Sequence, residues 1–173
     1  MTNKAVFLDR DGVINYDYGY VSKISDFKLI PGTFESLKYL NSKNFLIIII
    51  TNQSGIGRGL FSENDFLKLN KYMLDLFSEQ SISIDDVIYC PHKPDDNCNC
   101  RKPKPGMINS AIKKFSLIKE KSIMIGDKIS DIECGKMAKL GKSYFIGEDA
   151  PNLDIKKKYK SLFDLVCVNK IIE

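Results

Sequence analysis

The feature that most constrains this chain is an apolar run that stops abruptly at two carboxylates. Ala5 to Asp9 reads as a strand apolar enough to be buried on both faces, and it ends in Asp9-Arg10-Asp11-Gly12. A strand covered on both faces belongs in a parallel sheet sandwiched by helices. In open sheets of that kind ligands bind beyond the strands' carboxyl ends. Two acids one residue apart repel unless a cation sits between them or one holds a proton. Asp-x-Asp alone is a weak signal, equally compatible with a solvated turn, so the rest of the chain decides its meaning.

Strand and helix patterns alternate from Gly12 toward the C-terminus. Gly12 to Ile30 has no clean period and reads as a loop or small flap over the sheet edge, closed by Pro31-Gly32. Thr33 to Lys43 has helical spacing, and Phe45 to Ile50 is a second buried strand ending in Thr51-Asn52-Gln53-Ser54. Gly55, Gly57 and Gly59 suggest a flexible loop. Ser62 with Asp65 approximates a capping box before a helix through Phe77. Val87 to Tyr89 is a short third strand. Pro105 suits a first helical turn, Ser122 to Ile125 is a fourth strand ending in Gly126-Asp127, and Ile129 to Leu140 is a helix capped near Gly141. Lys142 to Ile146 makes a fifth strand. The tail is expected to hold a short helix around Lys160 to Leu162 and a last strand at Leu165 to Val168. Such alternation predicts right-handed crossovers and one α/β domain over 1–173, a Rossmann-like parallel sheet with helices on both faces.

A chain of 173 residues is large enough to bury a proper core. No apolar stretch approaches membrane-spanning length, and a strand by residue 5 leaves no room for a signal peptide. The expected location is the cytoplasm. The net charge of +4 is mild and dispersed; Lys156-Lys157-Lys158 reads as a solvated face, and no nucleic-acid partner is expected. Nothing like a coiled-coil seam appears, so a monomer is expected.

Three of the five cysteines cluster. Cys90-Pro91-His92, five residues, then Cys98-Asn99-Cys100 supplies three thiolates and the chain's only histidine. In a cytosolic chain this favours metal over disulfides, and three cysteines with one histidine form a closed, tetrahedral zinc set. Its expected role is to order a long loop and aim Arg101 and Lys102. Cys134 and Cys167 read as buried small hydrophobes.

Three strands thus end in polar residues at one sheet edge: Asp9/Asp11, Thr51/Asn52 and Asp127. Acids, a hydroxyl and a lysine suit phosphoryl transfer assisted by Mg2+, which prefers hard oxygen ligands. Here the residues resemble a family. Asp9-Arg10-Asp11-Gly12, Thr51-Asn52, Arg101-Lys102-Pro103 and Gly126-Asp127-x-x-x-Asp131 are similar to the four motifs of the haloacid dehalogenase (HAD) superfamily of phosphatases, in order, from residue 5 to about 147. The resemblance implies Asp9 as nucleophile, Asp11 as general acid then base, and Thr51 and Lys102 as holders of the phosphoryl oxygens. It implies Mg2+ on the Asp9 carboxylate, the Asp11 carbonyl and Asp127. Asp131, one helical turn on, is expected either behind the metal ligands or on the helix surface.

The Cys/His loop together with Arg101-Lys102-Pro103 resembles two zinc-containing branches, the manno-heptose 1,7-bisphosphate 7-phosphatases and the histidinol phosphatases. Asp17-Tyr18-Gly19-Tyr20, Thr51 to Gly59 and Pro105-Gly106-Met107 look like the heptose branch. The five-residue gap between His92 and Cys98 resembles the histidinol-phosphatase loop. The resemblance assigns Asp17, Tyr18, Gly19, Tyr20, Asn52, Gln53, Ser54, Arg101 and Lys128 to a small phosphorylated sugar substrate. Arg58 is a further candidate for a second phosphate or a loop surface charge. No large cap domain fits between the first two strands, which suits both branches.

Overall fold

The four residues of the first strand, Ala5–Leu8 (β1), are all buried, and their alternation splits the core in two. Val6 and Leu8 face one side with Leu37, Leu40, Leu69, Met73 and Phe77; Ala5 and Phe7 face the other with Met107, Ile108, Ala111 and Cys134. The computed structural model describes residues 3–147, 159–170 and 172. Beside β1 stand Leu46–Asn52 (β2), Asp86–Cys90 (β3), Ile123–Gly126 (β4) and Lys142–Phe145 (β5). All pair in parallel, in the order β3-β2-β1-β4-β5. The helices are Thr33–Ser42 (α1), Ser54–Gly57 (α2), Glu63–Glu79 (α3), Gly106–Phe115 (α4) and Ile129–Met137 (α5). Helices α1 and α3 cover one face of the sheet, and α4 and α5 cover the other.

This topology decides where the site lies. The chain winds outward from β1 to β3, then returns to the far side of β1 for β4 and β5. The winding therefore reverses between β1 and β4, and the crevice beyond such a reversal is where open α/β sheets bind ligands. Asp9 and Asp11 follow β1, and Asp127 follows β4. Gly12 lets these two strand ends approach. Its φ of +87° suits glycine, and a Cβ there would collide with the Asp127 carboxylate.

Several local expectations need correction. The glycine-rich segment after β2 begins as a helical turn, because the Ser54 carbonyl accepts from the Arg58 N–H. Helix α5 ends at Met137, three residues early, with Lys139 taking a left-handed φ of 61°. The expected last strand is instead a wide helical turn over Asp164–Val168. Consecutive Leu165 and Val166 are both buried in the α1/α3 side of the core, which a helical turn allows and a half-covered strand does not. The Lys156-Lys157-Lys158 run lies outside the described residues. Gly12 to Ile30 is irregular, with a turn at 12–14 and a single 3-10 turn at Ile24–Asp26, and forms a flap rather than a cap domain. Among the described residues no helix is long and apolar enough to cross a membrane.

Candidate active site

Lys102 is the buried centre of the site. Its ammonium lies 2.9 Å from Asp9 Oδ1 and 2.6 Å from Asp131 Oδ1, and it donates to the Ile50 carbonyl at 2.9 Å. Burial alone would lower the lysine's pKa, but Asp9 and Asp131 overcome it and raise the value above the usual range. Burial raises the Asp9 carboxyl, and Lys102 opposes that rise. Asp131 is fully buried rather than on the helix surface, and its Oδ2 accepts the Lys128 N–H at 3.0 Å. Both its oxygens are thus committed to holding Lys102 and the start of α5.

Lys102 arrives on a long loop, and β2 fixes its backbone. Asn52 Oδ1 accepts the Lys102 N–H at 3.0 Å, while Asn52 Nδ2 donates to the Lys102 carbonyl at 3.2 Å. Next to it, the Gln53 amide nitrogen donates to Thr51 Oγ1 at 2.8 Å and to Asp11 Oδ2 at 3.0 Å. With its acceptor side engaged by Gln53, the Thr51 hydroxyl is free to donate into the cavity. Asp11 also accepts from Asn15 Nδ2 at 2.9 Å and from the Arg10 guanidinium at 3.0 Å.

These groups floor a cavity of about 390 Å³ walled by Asp9, Asp11, Thr51, Lys102 and Asp131, with Asp17, Gly19, Tyr20, Asn52, Gln53, Ser54, Arg101, Lys128 and Ser130 around them. Across its mouth Lys128 Nζ lies 3.0 Å from Asp17 Oδ2. Burial pushes the Asp17 carboxyl up, but Lys128 and the Gly19 N–H outweigh it and hold it below the usual range. Tyr18 is the exception among the residues expected at the substrate: it is 60% exposed, stacks on Tyr16 and is absent from the wall. Arg58 is exposed and also off the wall.

Reading the sequence missed Arg10, Asn15 and Ser130. Arg10 carried a usable signal. It has the parity of Val6 and Leu8, so a side chain at that position heads under the flap, toward Phe66, whose ring centroid lies 5.6 Å from the guanidinium carbon.

Two donor sets fit metal ions. Oxygens of Asp9, Asp127 and Asp131 all lie within 4.8 Å of one another. Asp131 is occupied by Lys102, but Asp127 Oδ1 is buried with no hydrogen-bond partner among the described residues. Burial, reinforced by Asp9 and Asp131, pushes the Asp127 carboxyl up to about 7. Such an orphaned oxygen beside a second carboxylate suits a hard divalent cation such as Mg2+. In the loop after β3, Cys90, His92, Cys98 and Cys100 converge, with Sγ–Sγ separations of 3.1–3.6 Å and His92 Nδ1 3.3 Å from Cys100 Sγ. Tetrahedral ligation at Zn–S distances of about 2.3 Å needs sulfurs roughly 3.8 Å apart, a small expansion of this cluster.

A carboxylate pair at the switch point, opposed by a buried lysine and a strand-end threonine, marks the chain as a HAD-type phosphatase, a phosphoric monoester hydrolase. Comparison with known proteins agrees and goes further. Residues 7–164 match the family model described as polynucleotide kinase 3 phosphatase. The D-glycero-alpha-D-manno-heptose-1,7-bisphosphate 7-phosphatase of Campylobacter jejuni is 45% identical over 166 residues, 96% of this chain and 95% of the relative. The D-glycero-beta-D-manno-heptose-1,7-bisphosphate 7-phosphatase of Helicobacter pylori is 44% identical over 170 residues, 95% of this chain and 98% of the relative. A crystal structure of D,D-heptose 1,7-bisphosphate phosphatase from B. bronchiseptica, complexed with magnesium and phosphate, superposes with a TM-score of 0.84 at 25% identity, covering 94% of this chain and 95% of that one. The chain belongs to the D-glycero-D-manno-heptose-1,7-bisphosphate 7-phosphatase family.

The Lys102 network makes a stability prediction. Asp131→Asn removes one of the two carboxylates that hold a buried ammonium, and urea unfolding should show a loss of about 3 kcal/mol. Because the folded Lys102 pKa is raised, its contribution is fully present below the unfolded value of 10.5 and is lost as pH rises through the higher folded value. The gap between wild type and variant should therefore be flat across neutral pH and narrow only in strong alkali. A variant as stable as wild type at pH 7 would contradict the assignment.

Proposed function

We propose that this chain is a Mg2+-dependent phosphatase that removes the 7-phosphate of D-glycero-D-manno-heptose 1,7-bisphosphate. The product, heptose 1-phosphate, would feed nucleotide-activated heptose for lipopolysaccharide or another surface glycan. The buried Asp9–Lys102–Asp131 set beneath a cavity rimmed by cations carries the reading of the reaction. The relatives' names supply the substrate and favour it over histidinol phosphate.

In the proposed reaction an Asp9 carboxylate oxygen attacks phosphorus and the bond to the sugar oxygen breaks. That oxygen takes a proton from Asp11, leaving an aspartyl-phosphate. Water then returns a proton to Asp11 as its oxygen bonds to phosphorus and Asp9 departs. Thr51 and Lys102 donate to the phosphoryl oxygens as charge develops there. Asp9, the Asp11 carbonyl and Asp127 would hold Mg2+, which screens the repulsion between carboxylate and phosphate. Arg101 and Lys128 are the cations available to the phosphate that stays on the sugar, and Arg suits bidentate phosphate contacts. Asp17 must then release Lys128 when substrate enters.

We assign zinc to Cys90, His92, Cys98 and Cys100. Cys100 immediately precedes Arg101 and Lys102, so a closed metal site there anchors the loop that delivers both cations. Clustered thiols that serve as ligands favour a reducing compartment, which supports the cytoplasm. Elemental analysis should find one zinc per chain. Cys98→Ser should lose it and expose the 91–101 loop to protease; a full zinc content in that variant would contradict the ligand set.

The substrate test is phosphate release with Mg2+ from both heptose 1,7-bisphosphate anomers and from histidinol phosphate. Relatives named for the α and the β anomer are almost equally similar, so both must be compared. At least one anomer should exceed histidinol phosphate in kcat/KM by about 10²-fold or more, as expected for a site that hydrogen-bonds its substrate. Faster hydrolysis of histidinol phosphate would overturn the substrate and leave the phosphatase chemistry standing.

A further inference from the structure

Arg10 is fully buried in the middle of the motif that bears both working acids, yet the proposed reaction gives it no part. Its guanidinium forks onto Asp11: Nε reaches Oδ1 at 3.2 Å, and Nη2 reaches Oδ1 and Oδ2 at 3.0 Å each. The same Nη2 donates to the Val21 carbonyl at 2.8 Å, and Val21 belongs to the flap. The Phe66 ring of α3 backs the guanidinium. Asn15 repeats the arrangement from the other side. Its Nδ2 donates to Asp11 Oδ1 and to the Tyr16 carbonyl, both at 2.9 Å, while its backbone N–H donates to the Arg10 carbonyl at 3.2 Å. Asp11 is thus joined to the flap by two buried side chains, each holding its carboxylate and a flap carbonyl at once.

We propose that Arg10 is a positioning residue: it locks the orientation of the Asp11 carboxylate to the position of the flap, so that proton transfer is set by how substrate seats the flap. The flap puts Asp17, Gly19 and Tyr20 on the cavity wall, and Tyr20 holds a left-handed φ of 53° there. In a phosphatase without a cap domain, this coupling gives the flap a mechanical route to the proton carrier. A planar fork fixes a carboxylate's direction as well as its distance, which a lysine in the same place cannot do. The inference rests on the proposed role of Asp11 as proton carrier. Arg10 itself is absent from the cavity wall.

The two proton transfers give the test its resolution. A sugar alkoxide needs a proton as it leaves, whereas nitrophenolate departs without one; both substrates need Asp11 to take a proton from the attacking water. Arg10→Met should lower kcat for heptose bisphosphate at least about tenfold with KM changed less than about threefold. With p-nitrophenyl phosphate the same variant should release a burst of nitrophenolate near one equivalent per chain, then turn over slowly. Arg10→Lys, which keeps the charge and loses the fork, should fall between Met and wild type. It also stands in if Arg10→Met fails to fold, with Asn15→Ala as a second severed link. Unchanged kcat in Arg10→Lys and Asn15→Ala, or equal losses on both substrates without a burst, would overturn the inference. Asp11→Asn separates the two claims. If Asp11→Asn keeps full turnover, the role of Asp11 itself falls; if it is inactive while the Arg10 variants are unaffected, only the role of Arg10 falls.

Discussion

A lysine ammonium buried between two aspartates is the interaction on which the rest of this site depends. Lys102 is out of water, so desolvation works against its charge, and only Asp9 and Asp131 keep it protonated. The dependence runs both ways, because Asp9 is buried at the cavity floor and Lys102 is the main cation opposing the effect of burial on its carboxyl. In the proposed reaction Asp9 must be ionised to attack, and Lys102 serves both to keep it so and to meet the phosphoryl oxygens. One oxygen of Asp131 pairs with Lys102 and the other caps the backbone that starts α5. In the proposed reaction the orphaned oxygen of Asp127 would join Asp9 in holding a divalent cation.

Holding Lys102 in place takes more than its ion pairs. It sits on a connection with little regular structure between β3 and α4, where a loop of this length would ordinarily wander. Two devices fix it. Asn52, at the end of β2, grips the Lys102 peptide through both amide atoms. Twelve residues before Lys102 the chain leaves β3 at Cys90, and Cys90, His92, Cys98 and Cys100 gather into a donor set suited to zinc. The sheet edge thus supplies the acids at strand ends and brings the cation in on a loop that is held at the strand by Asn52 and gathered at the Cys/His cluster.

Much of the sheet was legible because its three central strands, β1, β2 and β4, are buried on both faces and read as apolar runs that turn polar where each leaves the core. That same break pointed to Asp9, Thr51 and Asp127. What stayed hidden depends on three-dimensional pairing. Asn52 and Gln53 were expected at the substrate. They do line the cavity, and in addition the Asn52 amide grips the Lys102 peptide while the Gln53 amide nitrogen donates to Thr51 and Asp11, partners that sequence spacing cannot reveal. Arg10 was hidden by its neighbours: between two acids it looks like solvated charge, while strand parity sends it under the flap. Tyr18 was expected at the substrate by position within its motif, yet its ring turns outward onto Tyr16. The tail misled because Leu165 to Val168 is apolar enough for a strand, and only the packing against α1 shows that two adjacent residues must be buried together.

The central claim is that Asp9, held by Lys102, becomes covalently phosphorylated. The most direct measurement is a rapid acid quench during turnover, followed by borohydride reduction and peptide mass spectrometry across residues 5–23. Reduction of an aspartyl-phosphate would convert Asp9 alone to homoserine, and the account predicts that conversion only when substrate and Mg2+ are both present. A reduced residue at Asp11, or none at any point in the time course while phosphate is being released, would contradict it.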